Sequence, residues 1–143
     1  MNPQEILDFC LSNLDGTVFV ESWGEKGVFY NPEGKLKRGV YTLTIKEKNG
    51  ENDKASDLDR SGIFRINIGL KKQTFLDLFK YIPHRPQAGG VVDMPYDFTC
   101  LNIMIPHPVY GWMGWVCMLS PDQDGFERLK PYIQESYLFA IEK

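Results

Sequence analysis

The chain is poor in the residues that carry most catalytic and metal chemistry. It has two histidines, His84 and His107, and three cysteines, Cys10, Cys100 and Cys117. An odd cysteine count at unrelated spacings does not make a disulfide framework, and among apolar neighbours each thiol reads as a small hydrophobe. Two separated histidines without a Cys-x-x-Cys pair do not supply the three or four ligands of a metal centre, so no metal is expected. There is no Gly-x-Ser-x-Gly elbow, no P-loop and no Gly-x-Gly-x-x-Gly fingerprint. Gly89-Gly90 alone is too little to cradle a phosphate, and no cofactor is expected. No stretch approaches the ~20 consecutive apolar residues of a membrane span. The acidic, helix-like opening Met1-Asn-Pro-Gln-Glu-Ile6 does not read as a signal peptide. Together these absences point to a soluble cytoplasmic protein.

What is present fits one domain. A chain of 143 residues, 43% hydrophobic and 24% charged, can bury a single core. Net charge is −3 but unevenly spread: residues 1–34 hold one Lys against six acids, and residues 35–72 hold ten Lys and Arg against five. The basic middle either forms a positive patch or is spread over solvated strand and loop faces.

Along the chain, Asn2-Pro3-Gln4-Glu5 reads as a capped helix start with Ile6, Phe9, Cys10 and Leu14 at helical spacing. Strands are expected at residues 17–21, 27–30 and 39–45. The turn Asn31-Pro-Glu-Gly34 follows the second of these, and alternation in the third puts Tyr41, Leu43 and Ile45 on one face. These three make an antiparallel meander. Residues 46–60 are the most polar run and read as a mobile loop, its aspartates lacking the spacing of a calcium loop. In the strand at 63–69, Phe64, Ile66 and Ile68 face the core, with Arg65 and Asn67 on the other side. Phe75, Leu78, Phe79 and Ile82 mark a second helix near residues 72–80. Residues 83–97 hold no periodicity and read as a lid or an irregular cover. A short extended piece at 98–103 then leads into residues 105–119, the stretch the rest is organised around, which ends in an apolar strand at 114–119. Ser120-Pro121-Asp122-Gln123 reads as a capping box for a last helix, with a kink or a break at Pro131. The fold class is α+β: an antiparallel sheet with N-terminal, middle and C-terminal helices packed against it, in a single domain over residues 1–143.

Phe9-Cys10-Leu11-Ser12, Trp23-Gly24, Val28-Phe29, Gly34-Lys35 and the ending Ile133-Gln-Glu-Ser-Tyr137 resemble the small bacterial MmcQ/YjbR-like proteins. More closely, the chain resembles a bacterial family of unknown function related to that group. The segments carrying this likeness are Glu51-Asn-Asp-Lys-Ala-Ser56, Phe64-Arg-Ile-Asn-Ile-Gly69, Gly89-Gly-Val-Val-Asp-Met-Pro95 and His107-Pro108. The resemblance implies a compact "double-wing" arrangement of antiparallel strands and helices, and a DNA-binding label. One departure is plain: MmcQ/YjbR-like proteins tend to place His directly before Trp, whereas residues 108–111 stand between His107 and Trp112.

Five site readings come from the residues. Trp23, Tyr110, Trp112 and Trp115, near glycines, can form an aromatic wall for a planar small molecule, with Arg65, Asn67 and His107 as its polar contacts; the alternative is core filling. His107, held between prolines, is either a base or ligand-binding group, or a half-buried ring donating to a backbone carbonyl. Asp93, Asp97 and His107 bracket residues 83–97 as a weak acid/base set, and a Cys–His pair would use Cys100 or Cys117. Lys37, Arg38, Lys46, Arg60 and Arg65 would have to converge on one face to bind nucleic acid. The leading expectation is a non-catalytic binding domain with an aromatic-lined pocket for a small molecule or protein partner. Nucleic-acid binding through residues 35–72 is the alternative, and a weak hydrolase or isomerase centred on His107 and Asp93 is third.

Overall fold

A computed structural model describes residues 1–37 and 39–143. Helix α1 (Pro3–Asn13) begins with the expected capping box. The Asn2 side chain accepts from the Glu5 backbone N–H, and Glu5 returns the bond to Asn2, a device worth about 1 kcal/mol. The meander follows as β1 (Thr17–Ser22), β2 (Glu25–Tyr30) and β3 (Val40–Lys46). Next come β4 (Arg65–Gly69), α2 (Lys72–Phe79), β5 (Met104–Pro106), β6 (Trp115–Leu119) and α3 (Gln123–Ile141). The strands form one six-stranded sheet in the order β1-β2-β3-β4-β6-β5, with every neighbouring pair antiparallel. This is the expected α+β class.

One face of the sheet is apolar and dry. Val28, Leu43, Ile68 and Val116 lie in one cross-strand row, and Ile45, Ile66 and Met118 in the next. All are at most 1% exposed, each worth about 1.5–3 kcal/mol of burial. Helices α1 and α3 cover this face with Ile6, Leu7, Cys10, Phe126, Leu129 and Ile133. Phe64, Ile66 and Ile68 therefore face the core as their alternation requires.

Four expectations are corrected. Tyr41 does not share a face with Leu43 and Ile45. Opposite the adjacent residues Val28 and Phe29 stand Leu43 and Tyr41, so Thr42 is an extra residue in β3. That bulge reverses the alternation beyond it and turns Tyr41 to the sheet's other side. The last helix is capped by Asp122, which accepts from the Gly125 N–H at 2.7 Å. Ser120 instead continues the β4–β6 ladder, its N–H and Oγ both bonded to Phe64. Of the kink or break expected at Pro131, the break is absent: α3 is one helix through Pro131, which lies on its exposed side, where the carbonyl deprived of a partner can meet water. The extended piece expected at 98–103 is turn, and the edge strand is Met104–Pro106; only Leu101 bridges to Leu119.

The polar run after β3 is not a free loop. Asn49 and Asp59, Asn49 and Leu58, and Gly50 and Asp53 are joined by hydrogen bonds, and Arg60 donates to the carbonyls of Ser56 and Thr99. Residues 83–97 are likewise fastened, with Val92 and Met94 buried and the Val92 N–H donating to Pro108. They cover the turn after His107.

Candidate functional site

The sheet's second face carries a polar network that crosses three strands. It starts at Arg65, whose side chain is completely buried. Its two terminal nitrogens grip both Asp53 carboxylate oxygens, Nη1 at 2.9 Å, and Nη1 also donates to Ser56 Oγ at 3.0 Å. Nε donates to Asn67 Oδ1 at 2.7 Å. The Asn67 amide passes the chain on to Thr44 Oγ1 and Glu25 Oε1, and Thr44 donates to the same Glu25 oxygen at 2.8 Å. Burial pushes the guanidinium toward neutrality, but the hydrogen bonds and charge of Asp53 outweigh it and hold Arg65 above its usual value. A buried Arg with this many acceptors is a satisfied charge.

This explains the loop. Asp53 and Ser56, in the run expected to be mobile, are drawn onto the sheet because a buried cation must be paired. Arg65 and Asn67, expected as polar contacts of a pocket, lie opposite the core face and are buried.

His107 is fully buried, not half-buried, and accepts where it was expected to donate. Its Nδ1 takes the backbone N–H groups of Val109 and Tyr110 at 3.1 and 3.0 Å. Its other nitrogen, Nε2, stands 3.2 Å from Arg65 Nη2. Burial first, then the charges of Arg65 and Lys46, hold His107 well below its ordinary pKa, so the ring is neutral.

Above this network lies a cleft of about 260 Å³. Ser22, Glu25, Thr44 and His107 form its polar part. Trp23, Phe29, Tyr41, Tyr110, Met113 and Trp115 form its walls. The rings touch in series: Phe29 to Tyr41 at 6.1 Å, Tyr41 to Trp115 at 4.6 Å, Trp115 to Tyr110 at 5.7 Å, and Tyr110 to His107 at 5.1 Å between centroids. Two glycines let these rings pack closely on the sheet. A Cβ on Gly27 would stand 2.3 Å from the Phe29 ring, and one on Gly69 would stand 3.3 Å from Trp115. Trp23 sits at the β1–β2 turn with φ +57 and is 79% exposed. A bulky residue in the left-handed region is strained, a condition concentrated at functional sites.

The structure thus brings Trp23, His107, Tyr110 and Trp115 together, with Arg65 and Asn67 behind them. Trp112 lies elsewhere, in a groove with Asn52 and Val109, the Arg85 guanidinium 4.9 Å from its ring centroid. The 3-10 turn Gly111–Met113 sends neighbouring side chains in different directions, so Met113 rather than Trp112 reaches the cleft. Asp93 and Asp97 are exposed, and among the described residues no hydrogen bond joins either to His107. Cys117 is buried, bonded to the Pro106 carbonyl, and its thiol is pushed up to about 12 by burial. Lys46 and Arg65 are buried, so the five basic residues do not form one exposed face; Arg38 lies outside the described residues. Sequence reasoning missed Glu25, Thr44, Phe29 and Tyr41. The bulge hid Tyr41, and Glu25 is an ordinary carboxylate until the strand register sets it beside Thr44 and Asn67.

Among the described residues no group of three or more His, Cys, Asp and Glu could hold a metal ion, and no helix is long and apolar enough to cross a membrane. The fold and site define a small α+β domain with a buried ionic network under an aromatic cleft. The chain belongs to a family of unknown function, DUF6194, which it matches over residues 1–143. No curated protein and no solved structure matches it.

Proposed function

We propose that this is a non-catalytic cytoplasmic binding domain of bacteria, and that the cleft between Trp23, Tyr41, Tyr110 and Trp115 takes a small molecule. One observation carries the reading: a continuous series of ring contacts encloses a concave site whose few polar groups are fixed from behind. Ligand sites have this composition, mostly apolar walls with a small number of placed polar groups. The groups near the cleft favour binding over catalysis. His107 is neutral with its Nδ1 occupied, no nucleophile among the described residues is bonded to it, and the nearby Cys117 thiol is far from ionising at neutral pH. A relationship to the MmcQ/YjbR-like proteins is part of the proposal, supported by the antiparallel sheet with helices packed on it.

The test is a thermal-shift screen of aromatic and heterocyclic small molecules alongside short DNA and RNA oligomers, at low and moderate salt. A ligand at a hundred times its Kd adds about 2.7 kcal/mol. The expected result is a salt-insensitive shift from a small molecule that Tyr110→Ala abolishes. A shift given only by oligomers and lost at moderate salt would refute the proposal.

A further inference from the structure

The chemistry of the cleft narrows what it takes, if the small-molecule reading above holds. We infer that the ligand is an organic cation, an ammonium or other positively charged nitrogen on a small apolar body, held between the Glu25 carboxylate and the faces of Tyr41, Tyr110 and Trp115.

The first ground is the charge of the lining. Among the described residues around the cleft Glu25 is the one charged group, and no Lys or Arg lines it. Of the positive charges nearby, Lys46 stands across from Glu25 on β3 but is buried and outside the lining, and the other two are engaged or removed. Arg65 lies under the network with both terminal nitrogens on Asp53, and it has no exposed surface. His107, which as an imidazolium would repel a cation, is held neutral by its burial and by Arg65 and Lys46.

The second ground is the state of Glu25. Its Oε1 accepts from Thr44 and Asn67, which fixes the carboxylate against the floor. Oε2 accepts no hydrogen bond from any described residue, and the side chain is only partly buried. A carboxylate pinned by one oxygen with the other spare is a ready acceptor for an N–H donor, and charge-assisted bonds of this kind are the strong ones. An anion would meet this carboxylate with no cation among the described lining residues to offset it.

The third ground is the rings. Tyr41, Trp115 and Tyr110 all line the cleft, with successive ring centroids 4.6 and 5.7 Å apart and tilted to one another, so several aromatic rings bound it. Ring faces carry the negative end of the aromatic quadrupole, and several around one hollow is the arrangement that recognises alkylammonium groups. Carboxylate and rings thus select for the same charge.

The experiment titrates the full chain, by tryptophan fluorescence and chemical-shift perturbation, with four probes of similar shape: benzylamine, benzyltrimethylammonium, benzyl alcohol and benzoate. The two cations are expected to bind about tenfold or more tighter than the alcohol, a difference of about 1.4 kcal/mol, with benzoate weakest. Glu25→Gln keeps an oxygen for Thr44 and Asn67 and should bring the cations down to the alcohol while leaving the melting temperature near that of the native chain. Tyr110→Leu should weaken the cations more than the alcohol. If the alcohol or benzoate binds as well as the cations, or Glu25→Gln leaves the ratio unchanged, the cation inference is overturned and the small-molecule cleft survives. If none of the probes perturbs a cleft resonance, both are overturned.

Discussion

Replacing Asp53 by Ala tests the buried network most directly. Arg65 has no exposed side-chain surface, and Asp53 is 15% exposed. Removing one partner of a buried pair leaves an uncompensated charge, a cost of about 3–5 kcal/mol. The lower end applies here. Ser56 and Asn67 still accept from the guanidinium, and the vacated place opens toward solvent, so water can enter. The expected loss is therefore about 3 kcal/mol. With a urea dependence of about 2 kcal/mol/M, the unfolding midpoint followed by tryptophan fluorescence should fall by about 1.5 M. Asp53→Asn preserves shape but removes the charge and turns an amide N–H toward the guanidinium, so it should lose nearly as much. A midpoint shift under about 0.5 M for Asp53→Ala, or wild-type stability for Asp53→Asn, would refute the claim that this carboxylate holds Arg65 and pins residues 47–63.

Two further predictions use the buried titratable groups. As pH falls below the unfolded histidine pKa of about 6.5, the unfolded chain takes up a proton that the folded His107 ring refuses. Stability should therefore fall with acid from that point, by up to about 2 kcal/mol between pH 6.5 and 5, and be insensitive to this group above it. His107→Asn should reduce stability overall yet flatten that part of the denaturation profile; an unchanged slope would contradict the assignment. All three thiols are free, but Cys10 and Cys117 are buried and pushed up to about 12. A disulfide reagent at neutral pH should modify Cys100 alone in the folded protein and all three in urea. Rapid native labelling of Cys117 would mean that β6 opens.

The sequence by itself determined what depends on near neighbours. The first helix begins where Asn2 and Glu5 can bond each other, and residues 64–68 alternate because a strand with one dry face needs Phe64, Ile66 and Ile68 on it. Of the large rings the sequence sets beside glycines, Trp23, Tyr110 and Trp115 line one hollow. Tertiary structure decided the rest, through bonds between distant residues. Ser120 has every local qualification to cap α3, but Phe64, far away in the chain, offers it a ladder, and Asp122 takes its place. Asp53 and Ser56 look like solvated loop residues until Arg65 is buried and requires them. Tyr41 faces the cleft only because pairing with β2 forces Thr42 out of register, while Trp112 turns away from it. A buried charge must find partners wherever the chain can bring them, and a single unpaired residue inverts a strand's alternation. Neither constraint is local, so the cleft came into view only with the sheet.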